Sequence, residues 1–180
     1  MALTAAGWLR AAACAAGLTA VSAPGPSPAQ TPAQAVATAP EYQLKAVFLF
    51  NFAQFVSWPA GAFAEPSAPL VIGVLGEDPF GSFLDETVRG ETIEGHPLRV
   101  RRFDSLDQVS GCHILYISRD ELERMPAIRQ ALEGRSVLTV SDEIGFATRG
   151  GMIRFITERN RIRLRINLEA ARAAGLTLSS

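Results

Sequence analysis

Glu41-Tyr-Gln-Leu-Lys-Ala-Val-Phe-Leu-Phe-Asn-Phe-Ala-Gln-Phe-Val-Ser-Trp58 is the segment around which the chain must fold. Leu44, Val47, Phe48, Phe52, Phe55 and Val56 recur at helical spacings and predict a wide apolar face. Phe50 and Trp58 broaden that face, so the helix is expected to be buried on more than one side. Pro59 stops it, because the residue before a proline is pushed out of helical geometry. A membrane span needs about 20 apolar residues in a row. Lys45, Asn51, Gln54 and Ser57 interrupt this run, which favours a core helix against which a sheet assembles.

Downstream, the pattern changes to strands. Leu70 to Leu75 is a continuous apolar run, the signature of a strand covered on both faces. In the turn after it, Asp78 is expected to cap a helix with Pro79 at its first position. Glu77 and Asp78 would repel a phosphate, which makes this a structural turn. Leu98 to Phe103 alternates, with Leu98, Val100 and Phe103 inward, and reads as a half-exposed strand near a sheet edge. Cys112 to Ile117 is a second buried strand. Ser118 is placed to cap a helix over 119–133, and 136–141 forms a third buried strand. Strands alternating with helices predict an α/β sandwich: a mostly parallel sheet covered by helices. Ligand crevices would lie at the carboxyl ends of its strands, at 76–80, 118–120 and 141–146. Met152 to Thr157 and Arg161 to Asn167 read as a C-terminal β-hairpin. Asn167 then caps a short terminal helix that ends at Gly175.

The first forty residues are of a different kind. One arginine, Arg10, precedes a short run of small apolar residues, and Val21-Ser22-Ala23 offers a signal-peptidase cut before Pro24. Residues 1–23 therefore read as a signal peptide and 24–40 as a flexible Pro/Ala-rich leader, with one folded domain over 41–180. Cys14 raises a lipoprotein alternative, but Ala11 to Ala13 lack the leucine such a site prefers. The chain carries 17 basic against 18 acidic residues. Removing Arg10 leaves 17 − 1 = 16 basic residues and a charge of −2, which argues against nucleic acid as a partner. Export would leave Cys112 as the single cysteine, without an intramolecular disulfide.

The residues supply no catalytic constellation. Cys112 and His113 are neighbours on a strand and point to opposite faces. His96 and His113 lack the neighbours a zinc site needs, so neither a metal nor another cofactor is expected. Asp142 and Glu143, at a strand end without a sequence partner, read as loop residues. One feature asks for a partner. Arg161, Arg163 and Arg165 alternate with Ile162, Leu164 and Ile166, which puts a ladder of guanidinium groups on one face of the hairpin. That ladder is either a solvated guard on a sheet edge or a recognition surface for a carboxylate, phosphate or acidic protein. Phe146, in the glycine-bearing loop at 144–151, joins the arginines as a candidate contact for a partner or ligand.

Two longer stretches carry a resemblance. Tyr42 to Pro59 is similar to the opening K-A-x-F-x-x-N-F-x-x-F-x-x-W-P of the YfiR family of small periplasmic proteins. Gly150-Gly151-Met152-Ile153-Arg154-Phe155, continued by Ile166-Asn167 and Ala170 to Leu176, resembles the family's G-G-x-I-x-F … I-N-x-x-A-A-x-x-A-G-L ending. The resemblance implies a compact α/β sandwich, exported to the periplasm and often dimeric, that acts without catalysis. It implies a role in restraining an inner-membrane signalling protein, foremost a diguanylate cyclase, through that protein's periplasmic domain, and hence in cyclic-di-GMP and biofilm control. A histidine kinase or an outer-membrane receptor is an alternative partner. From the residues, a binding protein for a small anionic or aromatic ligand remains the second reading.

Overall fold

The computed structural model describes residues 39–159 and 161–179. The expected signal peptide, and the leader as far as residue 38, lie outside the described residues. Helix α1 spans Ala39–Phe55. It starts two residues before Glu41, with Pro40 in its first turn, where a missing amide costs little. Val56–Ser57 then leaves the helix as β1, so the helix does not reach Trp58.

The face that α1 buries is not the one its hydrophobic spacing suggested. Lys45, Ala46, Leu49, Phe52 and Ala53 are buried. Leu44, Val47 and Phe55 remain 45%, 43% and 54% exposed. The helix is apolar nearly all round, so apolar character alone cannot choose a face. Ala46 and Ala53 let the backbone approach the sheet, and Leu49 and Phe52 fill the space between them.

A seven-stranded sheet carries the domain. Its strands are β2 (Leu70–Leu75), β3 (Thr92–Ile93), β4 (His96–Phe103), β5 (Ile114–Ile117), β6 (Leu138–Ser141), β7 (Ile153–Glu158) and β8 (Arg161–Ile166). The spatial order is β3-β4-β2-β5-β6-β7-β8. The five strands from β4 to β7 run parallel, while β3 and β8 are antiparallel additions at the two ends. This is the mostly parallel α/β sandwich with a C-terminal hairpin that the strand pattern predicted. All six residues of β2 are buried, as a central strand covered on both faces requires.

Each sheet face has its own core. α1, α2 (Ser82–Val88) and α4 (Leu168–Ala173) cover Leu70, Ile72, Val74, Ile114 and Tyr116 on one face. On the other, α3 (Met125–Ala131) covers Leu75, Leu115 and Ile117, with Phe103 and Phe146. Gly73 is required in that second layer: a Cβ there would lie 2.6 Å from the Phe103 ring and 2.7 Å from Cys112 Sγ. β1 pairs with β9 (Thr177–Leu178), and Ser179 donates its amide to the Phe55 carbonyl at 2.9 Å. The end of the chain thereby ties down the end of α1.

Two expected caps are replaced by other contacts. α2 starts at Ser82 rather than Pro79, and Asp78 instead accepts the Phe80 amide at 2.8 Å in a local turn. Residues 119–124 form a 3₁₀ turn before α3, and the Ser118 hydroxyl donates to the Glu77 carbonyl at 2.5 Å. Asn167 does cap α4, accepting the Ala170 amide at 3.1 Å.

The glycine-rich turn before β7 also has a packing explanation. Gly150 sits at φ 92°, which a residue with a side chain rarely adopts. Gly151 lies under the Phe146 ring, where a Cβ would fall inside the van der Waals surface of the ring. Phe146 is 0% exposed, so it fills the core and is not available at the surface as a partner or ligand contact. Its burial corrects the expectation that a loop aromatic would face a binding crevice. Gly151→Ala is expected to destabilise the fold by about 1–3 kcal/mol through overpacking. Combining it with Phe146→Leu should recover part of that loss in urea unfolding.

Candidate functional site

The carboxyl ends of β5 and β6 bring together a cluster that local spacing did not reveal. Asp142 follows β6 directly and accepts three donors. Lys45 Nζ lies 2.5 Å from Oδ2, the Tyr42 hydroxyl donates to the same oxygen at 3.1 Å, and the Tyr116 hydroxyl donates to Oδ1 at 2.8 Å. Glu41, one turn before Lys45 on α1, closes a second ion pair at 2.6 Å. The Lys45 side chain is 1% exposed. Phe80 walls the cluster, edge-on to Tyr42 at 5.5 Å and to Tyr116 at 4.7 Å between ring centroids. Asp142 is therefore a partly buried hub rather than a loop residue without a partner. The sequence signal was Lys45 itself, the one lysine in the chain, placed on a buried helix face where an ammonium needs a carboxylate.

The electrostatics make this cluster a latch. Burial alone would push the Asp142 carboxyl up, but Lys45 and the two phenols outweigh it and hold its pKa below the usual carboxylate value. Burial, then the charge of Asp142, pushes both Tyr42 and Tyr116 well above the normal phenol range. Both phenols stay neutral donors, and the acceptor is already occupied. Neither the phenols nor the occupied Asp142 carboxylate is poised as a base or nucleophile near neutral pH.

The remaining reactive side chains are also committed to structure. His113 accepts the Val71 amide at Nδ1 (3.1 Å), and Nε2 donates to the Ala62 carbonyl at 3.2 Å. Burial lowers its pKa. Phe63 stacks between His113 at 4.4 Å and His96 at 3.7 Å, so both imidazoles hold the loop before β2 in place. The Cys112 thiol is buried and its pKa is pushed up to about 12 by desolvation, which keeps it unreactive. Among the described residues, no group of three or more His, Cys, Asp or Glu side chains could hold a metal ion.

The expected crevice at the strand ends is bridged by the chain itself. The Glu77 amide donates to the Asp120 carboxylate at 3.3 Å, and Asp120 packs so closely on Gly76 that a Cβ there would meet it at 2.7 Å. Glu143 pairs with Arg119 at 3.0 Å. A groove of about 740 Å³ opens elsewhere, between α3 and α4, floored by Val137, Thr139 and Met152 with Arg129 and Arg135 among its walls.

The hairpin presents its arginines outward. Arg161, Arg163 and Arg165 are exposed, while Ile162 and Leu164 are half-buried against the α1 layer. Arg163 meets Glu158 only at 3.7 Å, with both side chains more than half exposed, a pair of little energetic worth. Arg154 stands directly across the ladder from Arg165, so like charges are paired on one face. Such a pair is destabilising. The buried Nε of Arg154 has no hydrogen-bond partner among the described residues. Glu158 stands across from Arg161, so this face sets Arg154, Arg161, Arg163 and Arg165 against one carboxylate and is net positive.

The latch can be tested by titration. The folded-state pKa of Asp142 is lowered, so its contribution is complete above the unfolded carboxylate value of about 4 and is lost as pH falls through the folded value. Asp142→Asn should flatten that acid limb in chemical unfolding. At neutral pH it should cost about 3 kcal/mol, because Lys45 loses its closer-packed partner. Lys45→Met combined with Asp142→Leu should cost less than either single change.

No helix among the described residues is long and apolar enough to cross a membrane. No curated protein matches this sequence significantly. The family model described as YfiR/HmsC-like (DUF4154) matches residues 42–180. That match begins in the first turn of α1 and takes in the whole sheet with its arginine hairpin and the β1–β9 pairing; the chain belongs to the YfiR/HmsC-like family.

Proposed function

We propose that this chain is an exported regulatory protein that binds the periplasmic domain of an inner-membrane signalling protein and holds it in check. The most specific form of the reading is restraint of a diguanylate cyclase, which couples conditions in the envelope to cyclic-di-GMP output. Membership of a family of periplasmic regulators supports the class of function. The observation that carries the choice of surface is the Arg154–Arg165 pair on the hairpin, with Arg161 and Arg163 beside it. A fold that keeps like charges opposite each other on an exposed face has a use for an acidic partner there. Residues 1–23 act as the export signal in this reading, and Phe146 supports the fold behind the surface without touching the partner.

A second reading is favoured by the groove between α3 and α4. Its volume of about 740 Å³ suits a small molecule, and Arg129 and Arg135 could meet a carboxylate. In that case the protein would carry a small anionic or aromatic ligand and report to a sensor kinase or receptor. A metabolite that raises the melting temperature in proportion to its occupancy would favour this version.

The main reading predicts that Arg161→Glu with Arg163→Glu abolishes co-purification with the membrane partner. Thermal unfolding should stay nearly unchanged, because both side chains are exposed. A double variant that still retains the partner would remove the arginine face from this account.

A further inference from the structure

β8 is the last strand of the sheet, and among the described residues no strand pairs with its outer edge. Glu158 faces Arg161 with two residues between them, and the pair that brackets a two-residue hairpin loop exchanges its hydrogen bonds. Arg161, Arg163 and Arg165 therefore bond inward to β7. Ile162, Leu164 and Ile166 turn their amides and carbonyls to the open side.

The two faces at this edge differ in character. One carries Arg161, Arg163 and Arg165 beside Arg154, with Glu158 opposite Arg161, and is net positive. The other is apolar: Ile162 and Leu164 are half-buried and Ile166 is 44% exposed. A flank of α1 overhangs that apolar side. The Phe48 ring lies 5.9 Å from Phe155, which pairs with Leu164 across the ladder. Leu44 and Phe55 lie one turn before and two turns after Phe48 on the same flank, and both are about half exposed. The edge thus offers backbone groups in the middle, positive charge on one side and an apolar shelf on the other.

We propose that the β8 edge accepts an extended segment of the partner as an added strand, and that this segment alternates acidic with apolar side chains. The proposal rests on the reading of the chain as a protein-binding regulator and supplies its mode of contact. Acidic residues at every second position would lie beside the arginine row, and the intervening apolar residues would lie under the α1 flank. Charge selects this occupant over a second copy of the chain. Antiparallel self-pairing about a two-fold axis would set the arginine row against itself, with like charges directly opposed. The main-chain bonds of the added strand provide adhesion, and the alternation provides register and selectivity.

The test uses the full chain and short, end-blocked, fluorescently labelled peptides, read by anisotropy. In the first peptide Glu and Val alternate. The second has the same composition with the Glu residues grouped. The third repeats the first with N-methylated amides at alternate positions, which removes strand pairing and leaves the protein untouched. The alternating peptide should bind saturably and more weakly as salt rises. The grouped and N-methylated peptides should bind at least about tenfold more weakly. Ile162→Pro, which deletes an amide on the open edge where proline is tolerated, should weaken the alternating peptide to a similar degree. Absence of binding by the alternating peptide, equal binding by the N-methylated or grouped peptide, or full affinity in Ile162→Pro would each overturn strand addition. The regulator reading is separated by partner co-purification. If Arg161→Glu with Arg163→Glu loses the partner while Ile162→Pro keeps it, strand addition fails and the arginine reading stands. If the arginine double variant keeps the partner, the arginine reading fails whatever the peptides do.

Discussion

Burying the ammonium of Lys45 is the constraint that the rest of this domain satisfies. Desolvating a charge costs several kcal/mol unless it is paired closely and hydrogen-bonded. Asp142 at 2.5 Å and Glu41 at 2.6 Å supply that pairing, and two phenols occupy the remaining acceptor sites of Asp142. Because Asp142 stands at the end of β6, the pair fixes one end of α1 over the carboxyl end of the sheet. The β1–β9 pairing and the Ser179 bond to Phe55 fix the other end. A helix that is apolar nearly all round gains no rotational preference from burial alone. Polar contacts at its two ends decide which side it turns to the sheet, and therefore which residues it leaves exposed.

The opposite layer is set by steric exclusion. Gly73 leaves room for Phe103 and Cys112 on the central strand, and Gly151 leaves room for the Phe146 ring. Here a missing side chain is the specific feature, because the aromatic ring that fills the space closes the core beneath α3. Cys112 lies in this layer with its thiol held protonated by burial.

The two ends of the sheet treat arginine differently. On β4, Arg102 is fully engaged: Nε donates to Asp78 at 2.8 Å, and the guanidinium also reaches Asp85 at 2.5 Å and the Gly81 carbonyl at 2.7 Å. Those bonds tie the loop after β2 and the start of α2 to the strand, and the Arg102 partnership holds the Asp85 carboxyl below its ordinary pKa. On β8, Arg161 faces Glu158, Arg163 reaches the same carboxylate at 3.7 Å, and Arg165 faces Arg154 of β7. The same residue type is internal wiring on β4 and an exposed, net positive row on β8.

The strands and their parallel order were legible from the sequence, because fully buried strands must be continuously apolar and a hairpin with one buried face must alternate. The exposed arginine row followed from that same alternation, and the Asn167 cap from a local hydrogen bond. Asp142 was not legible, since its three partners come from residues about 100 and 26 positions away in the chain and no spacing rule connects them. Nor was the buried side of α1, which depends on where the sheet's polar end falls. Phe146 was misread for a related reason: only the fold brings Gly151 beneath its ring. Local periodicity and hydrogen-bonding capacity determine elements one at a time. The orientation of an all-round apolar helix and the pairing of a lone buried charge are settled only when distant segments meet, because both depend on which group stands opposite.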